Sequence, residues 1–210
     1  MKKTKSRALL TMTALATVVA MPTLAFAQSN VGTLDAYYIP SSDLSIDVPN
    51  FGSADDSGDG FGVKGLFRFA DTLGFVGEYQ TVRYDDFDLD ADQYRLGAGW
   101  FMPTTSGIYA EYTNIQLGDN NDGEADGVGV HGRLAGDLAP GIQVYGEAGY
   151  LFLQDDSEDI EGYEFLVGGA VQINPQLGLF ADYRLTNLEG QDSNVEFQFD
   201  DVRLGVRLYF

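Results

Sequence analysis

The sequence predicts an all-β chain folded as an antiparallel up-and-down transmembrane β-barrel of about ten strands, with eight as the alternative. Three observations predict it. First, the final stretch alternates strictly: Val202, Leu204, Val206, Leu208 and Phe210 are apolar, and Arg203, Gly205, Arg207 and Tyr209 lie between them. In a strand these two sets point to opposite faces. Second, a segment recurs. Gly74-Phe75-Val76-Gly77-Glu78-Tyr79 is matched by Gly107-Ile108-Tyr109-Ala110-Glu111-Tyr112 and by Gly178-Leu179-Phe180-Ala181-Asp182-Tyr183, with Val144-Tyr145-Gly146-Glu147-Ala148 a looser copy. The acids Glu78, Glu111, Glu147 and Asp182 fall 33, 36 and 35 residues apart, a period that suits one hairpin of two tilted ~10-residue strands with a turn and a loop. Third, the connectors alternate between short turns and longer acidic stretches.

The N-terminus reads as a targeting segment. Lys2, Lys3, Lys5 and Arg7 form a basic start, an apolar run extends from Ala8 to Ala20, and Ala25-Phe26-Ala27 is an A-x-A cleavage site. Residues 1–27 are therefore expected to be a cleaved secretory signal peptide and 28–210 a single barrel domain. The apolar run is shorter than the ~20 residues of a spanning helix, and Gly, Asp, Arg or Glu interrupts every later one. An exported chain without such a helix is soluble or a β-barrel. With no cysteine, there is no disulfide framework. The 12 Lys+Arg less the four in the signal leave 8 against all 32 Asp+Glu, a formal charge of −24. This excludes nucleic acid, whose phosphates would meet no neutralising surface, and polybasic attachment to a membrane surface.

Taken in order, the strands are expected at 32–39, 60–70, 74–84, 92–102, 107–117, 126–136, 142–154, 161–173, 177–188 and 196–210. The first alternates poorly, and its Asp35 must face inward or lie at the rim. In the second, Phe61, Val63, Gly65, Phe67 and Phe69 share a face opposite Lys64 and Arg68. In the fourth, Tyr94, Leu96, Ala98, Trp100 and Met102 oppose Arg95 and Gly97. In the sixth, Val128, Val130, Gly132 and Leu134 oppose His131 and Arg133. In the eighth, Phe165, Val167, Gly169, Val171 and Ile173 oppose Gly168 and Gln172. The third, fifth, seventh and ninth are the repeat copies. Between them, Asp71-Thr72-Leu73, Pro103-Thr104-Thr105-Ser106, Asp137-Leu138-Ala139-Pro140 and Asn174-Pro175-Gln176 carry turn chemistry. The longer acidic connectors are 40–59, 85–91, 118–125, 155–160 and 189–195. Every proline beyond the signal is expected in a connector or at a strand end, because a ladder needs each backbone N–H. An even strand number puts both termini on the periplasmic side, with longer acidic extracellular loops opposite. Tyr37, Tyr38, Tyr84, Tyr94, Tyr112, Tyr150 and Tyr163 are expected in the outer aromatic girdle. Phe67, Phe69, Trp100, Phe101, Tyr209 and Phe210 are expected in the inner one.

Polar Arg203, Gly205 two residues on, apolar Leu208 and terminal Phe210 resemble the C-terminal signal of bacterial outer-membrane β-barrels. The architecture of 31–210 is similar to the small OmpA/OmpX-like barrels, whose typical strand count is eight. The resemblance implies the outer membrane of a Gram-negative bacterium, contact with its lipid and lipopolysaccharide, and reading of Gly205, Leu208 and Phe210 by the barrel-assembly machinery. A monomer is the expected state.

With the apolar face toward lipid, the inner face carries the acids Glu78, Glu111, Glu147 and Asp182 on one strand direction. It carries the bases Lys64, Arg68, Arg95, Arg133, Arg203 and Arg207 on the other, with Arg184 also inward and only Arg83 outward. Charges so enclosed should pair, because an unpaired buried charge costs several kcal/mol. Two readings of the lumen stay open: a structural core closed by ion pairs, or a narrow channel for ions or small solutes. About eight strands leave room for side chains alone and wide channels need 16 or more, while inward glycines leave space for water. A third function class is adhesion or cation binding through the acidic loops. Asp86, Asp88, Asp90, Asp119, Asp122 and Glu124 are candidate ligands for a hard cation such as Ca or Mg, without EF-hand spacing. The alternation from Asp86 to Asp92 would also give an acidic strand face for a basic partner. No cofactor motif occurs. The chain is expected to be non-enzymatic: its one histidine, His131, takes lumenal parity beside Arg133, so no Ser-His-acid triad can be built. Ten-stranded outer-membrane proteases are similar in strand count. That resemblance implies an Asp/His pair in an extracellular groove, which loops without histidine cannot supply.

Overall fold

The computed structural model describes residues 31–102, 105–118, 123–155 and 157–210. The expected signal peptide, the turn residues 103–104 and two candidate cation ligands, Asp119 and Asp122, lie outside the described residues. Ten strands form among those described: β1 (Gly32–Val48), β2 (Gly52–Arg68), β3 (Leu73–Tyr84), β4 (Leu89–Phe101), β5 (Gly107–Leu117), β6 (Gly123–Ala139), β7 (Ile142–Gln154), β8 (Asp159–Asn174), β9 (Leu177–Gly190) and β10 (Glu196–Tyr209). They close into one antiparallel barrel in chain order, with β10 returning to β1. The seam is tied at its base, where the Phe210 carbonyl accepts the N–H groups of Val31 and Gly32 at 2.5 and 2.9 Å. Through its belt, a ladder closed on itself leaves no open edge, the condition under which strands can cross lipid. The count of ten replaces the alternative of eight.

The two-residue period sorts the side chains inside out relative to a soluble protein. Leu134 is 78% exposed and Leu96 68%, while Arg203 is 1% and Arg184 2% exposed. The apolar set therefore faces outward and the charges fill the interior. At the base of β10, Gly205 is required by closeness. A Cβ there would lie 2.4 Å from the Ala36 carbonyl oxygen and 2.6 Å from the Phe180 ring.

The largest departure from expectation is 40–59. It is not a loop but the upper part of β1 and β2, paired from Ser42↔Gly58 to Val48↔Gly52 and turning through Pro49, Asn50 and Phe51. Asn50 and Gly52 take φ of 68° and 99°, the left-handed values this turn demands. Pro40 accordingly sits inside a strand. The register of β1 shifts there against both neighbours, between Ile39 and Ser42 on β2 and between Tyr38 and Ser41 on β10. A bulge is where a ladder tolerates a residue without an N–H. The extra residue also switches parity. Asp35, Tyr37 and Ile39 face inward below it, and Ser42 and Leu44 face inward above it.

On the outer face, all five hairpins repeat one contact. The hydroxyls of Tyr38, Tyr79, Tyr112 and Tyr150 donate to Asp59, Asp92, Asp126 and Glu161 at 3.2, 3.0, 3.1 and 3.1 Å, and Tyr183 donates to Asp200. In each case the tyrosine is on the odd-numbered strand, and the acid lies two residues beyond its cross-strand partner, toward the loop end. These pairs make a level ring above an apolar belt. From Tyr163 down to Ile173 is ten residues, which at ~3.3 Å per residue and a tilt of 35–45° spans about 23–27 Å, the height of an outer-membrane barrel's apolar band. Three aromatics expected in the girdles belong elsewhere: Tyr37, Tyr84 and Phe101 are buried in the interior. Height along the strand puts them at girdle level, but parity turns them inward.

Candidate functional site: the charged lumen and the loop end

The lumen is filled by ion pairs that cross it. Glu78 on β3 accepts Arg184 Nη2 of β9 at 2.6 Å, Arg203 Nη1 of β10 at 2.7 Å and the Tyr37 hydroxyl of β1 at 2.5 Å. Lys64 of β2 lies 3.8 Å from Glu78 and 3.3 Å from Glu147 on β7. Arg95 on β4 makes a bidentate pair with Glu164 on β8 at 2.8 and 2.5 Å and also reaches Glu111 on β5 at 3.1 Å. Arg203 Nε meets Asp182 at 2.5 Å, and Arg207 forks onto Asp35 at 2.8 and 2.7 Å. Arg133 pairs with Glu147, its cross-strand partner, which also accepts the Tyr109 hydroxyl at 2.6 Å. Tyrosines add faces as well as hydroxyls: Arg133 lies 4.4 Å over the Tyr145 ring and Arg203 4.9 Å over Tyr37.

Most of the expected lumen residues thus come together, across the barrel as well as between neighbouring strands. Glu111 lies between the strands of Arg95 and Arg133 but pairs with Arg95. Arg68 has inward parity and is half-buried near the short-turn end. Asp35 faces inward. Glu164, Asp201, Ser42 and Gln80 were missed. The first two share the parity of Gly168 and Arg203, so counting by twos would have found them. Asp201 accepts Ser42 Oγ at 2.6 Å and Gln80 Nε2 at 2.8 Å, forming an upper polar layer above the arginines. Two cavities, of ≈ 30 and ≈ 20 Å³, remain in the lumen. The first is lined by Gln80, Gln93, Arg184 and Asp201, the second by Lys64, Arg133, Glu147 and Arg207. Each has room for a water or two.

His131 is buried and stacked on Tyr109, with ring centroids 4.9 Å apart. Its Nε2 lies 3.2 Å from Glu111 Oε1, but the direction is wrong for a hydrogen bond and both ring nitrogens are left without one. Gly149 and Gly129 make its slot: a Cβ on either would come within 2.2 and 2.6 Å of the imidazole. The ring is wedged in place rather than presented to solvent.

At the loop end, Glu158 ties two connectors together. Its carboxylate accepts Ser193 Oγ at 2.7 Å, Ser193 N–H at 2.9 Å and Asp192 N–H at 3.1 Å. These donors, Ser193 first, hold its pKa below the usual glutamate range. Asp155 is likewise lowered by the N–H and hydroxyl of Ser157 and the N–H of Glu158. Among the candidate cation ligands, Asp88 is engaged by Arg83 at 2.6 Å and Glu124 accepts Asn114 Nδ2 at 2.7 Å. Asp86 and Asp88 lie in the β3–β4 turn, and only Asp90 lies on β4. No group of three or more His, Asp or Glu side chains among the described residues could hold a metal ion. The acidic face expected from Asp86 to Asp92 is correspondingly shorter, reduced to Asp90 and Asp92.

The profile of the family described as YfaZ precursor matches residues 70–210, which take in β3 to β10. The chain belongs to this family. No curated protein matches it. Among solved structures, the barrel is similar to the outer-membrane protease OmpT from Escherichia coli, at 12% identity and a TM-score of 0.56 over 90% of this chain and 99% of that one. Neisserial surface protein A is 16% identical with a TM-score of 0.43, over 85% and 97%. The translocator domain of the autotransporter NalP from Neisseria meningitidis is 10% identical with a TM-score of 0.48, over 97% and 96%. At these identities the likeness to OmpT is one of fold. The neighbours are outer-membrane β-barrels, and the OmpA/OmpX-like resemblance holds at that coarser level.

Proposed function

We propose that this YfaZ-family chain is a non-enzymatic integral outer-membrane protein of a Gram-negative bacterium. Its lumen is closed by ion pairs, and its role is structural or one of surface interaction. The observation that carries the reading is the bidentate Arg95–Glu164 pair, with Glu78 bound to Arg184 and Arg203. These contacts join opposite walls of the barrel, so a passing solute would have to break buried pairs. The apolar belt contacts lipid and lipopolysaccharide as a monomer, and the barrel-assembly machinery reads Gly205, Leu208 and Phe210. The second reading, a narrow channel for ions or small solutes, is favoured by the two charged cavities. Planar-bilayer conductance of the refolded protein, beside a Glu111→Ala variant, separates the two. A silent membrane with inserted, folded protein supports the closed lumen. Discrete openings altered by Glu111→Ala would replace it with a pathway.

A further inference from the structure

The barrel is closed through its belt but not at its top. β2 pairs with β3 only from Gly58↔Tyr84 downward, while it stays paired with β1 up to Gly52. The β3–β4 turn is pinned at that level, where the Asp56 carboxylate accepts the N–H groups of Asp86 and Phe87 at 3.2 and 2.8 Å. Above it, β2 from Gly52 to Asp55 is exposed, and among the described residues no strand pairs with its second edge. The direction of the free groups follows from the ladder. The Ser57 carbonyl points away from β1, where it accepts the Asp85 N–H at 3.3 Å. Antiparallel pairs alternate between bonded and non-bonded, so Asp55 and Ser53 turn their N–H and C=O the same way. Four backbone groups stand open in a row, beyond the ring of Tyr38 and Asp59 that tops the belt.

We propose that this edge receives an extended, basic segment of another protein by strand addition. The surface-interaction reading enters only in placing the hairpin outside the membrane. Main-chain bonds to Ser53 and Asp55 would supply the pairing, and alternate side chains the selectivity. Charge selects the occupant. Residues 43–59 hold Asp43, Asp47, Asp55, Asp56 and Asp59 and no Lys or Arg. Asp43, Asp47 and Asp55 share the outer face of the hairpin, because Asp43 opposes Ser57, Asp47 opposes Ser53 and Asp55 opposes Ser45. An incoming strand with Lys or Arg at every second position sets those charges against this face. A second copy of the same edge would set aspartate against aspartate, which the cross-strand geometry penalises. Phe51, 90% exposed at the turn tip, offers an apolar end stop beside the acids.

The test is titration of refolded protein in detergent with a fluorescent heptapeptide of alternating lysine and valine, read by anisotropy. Two further forms of the peptide are N-methylated on one or the other set of alternate amides. Strand addition predicts that one methylated form loses at least about tenfold in affinity while the other binds as before, because only one set of amides faces β2. Ser53→Pro, which removes an edge N–H at an exposed position and leaves the charge intact, weakens binding by a similar factor. Asp43→Asn/Asp47→Asn/Asp55→Asn abolishes it. Retained heat-shifted mobility in SDS gels shows that each variant is folded. Equal binding of both methylated forms, or no effect of Ser53→Pro, would overturn the proposal and leave simple charge adsorption. So would a dimer, dissolved by Ser53→Pro, that excludes the peptide. Conductance is silent on the edge, and peptide binding is silent on the lumen, so the two readings fail separately.

Discussion

Replacing Glu78 with glutamine is the sharpest probe of the interior. The side chain keeps its size and loses its charge. Its carboxylate serves Arg184 at 2.6 Å, Arg203 at 2.7 Å and Lys64 at 3.8 Å, with 2% of the side chain exposed. Arg203 keeps Asp182 at 2.5 Å, and Lys64 keeps Glu147 at 3.3 Å. Arg184 is left with the neutral Gln93 Oε1 at 3.3 Å and with Glu164 at 3.8 Å through Nε, so it bears most of the loss. Removing one partner of a buried pair costs about 3–5 kcal/mol, and a retained amide acceptor puts Glu78→Gln near 3 kcal/mol. Urea unfolding in lipid vesicles should show the midpoint falling with the slope unchanged. Adding Arg184→Met should recover part of the loss, because the stranded cation is gone, giving a coupling above about 1 kcal/mol in the double-mutant cycle. A cost for Glu78→Gln below about 1 kcal/mol, or strict additivity with Arg184→Met, would refute the view that these charges hold the barrel shut.

Two further outcomes follow from particular contacts. Gly149→Ala drives a methyl into the His131 imidazole, where a Cβ would lie 2.2 Å from Nδ1. It should destabilise the barrel by about 1–3 kcal/mol, and most of that loss should vanish in a His131→Ala background when both are unfolded in urea. Glu158 concerns the loops and pH. Its folded pKa is depressed by the Ser193 donors, so its tether is present above the ordinary glutamate value of about 4.3 and is lost as pH falls through the lower folded value. Hydrogen-exchange protection of the Asp192 and Ser193 amides should drop across that acid window, and Glu158→Gln should lower it already at neutral pH.

Much of this fold was legible because a period of two is hard to mistake. Parity alone turned seven of the eight basic residues inward and left Arg83 out. What parity cannot show is who faces whom across a closed barrel. Strand adjacency sets Arg95 beside Glu111, which it reaches at 3.1 Å, while its bidentate partner Glu164 sits four strands away along the ring. The hairpin of 40–59 was hidden for a different reason. Its Ser, Asp, Gly and Pro read as loop chemistry, yet backbone pairing with β2 and β10 overrides that preference, and Pro40 is absorbed by the bulge. Tyr37, Tyr84 and Phe101 stand at girdle height, yet facing and not height decides where an aromatic goes, and theirs is inward. At the loop end, the contacts of Glu158 with Ser193 and of Asp56 with Phe87 depend on which turns meet, which no spacing in the chain announces.

The crossing ion pairs also bear on the order in which the barrel can be built. Lys64 and Glu78 come from β2 and β3, and their closest opposite charges lie on β7, β9 and β10. A sheet inserted from its N-terminal strands would carry those charges with only their mutual 3.8 Å contact until the later strands arrived. Contacts so distant in sequence are slow to form and reward nothing until they do. Insertion and closure are thereby coupled into one late step, in which β10 meets β1, Arg203 and Arg207 enter the interior, and the charge of the half-made wall is neutralised at once.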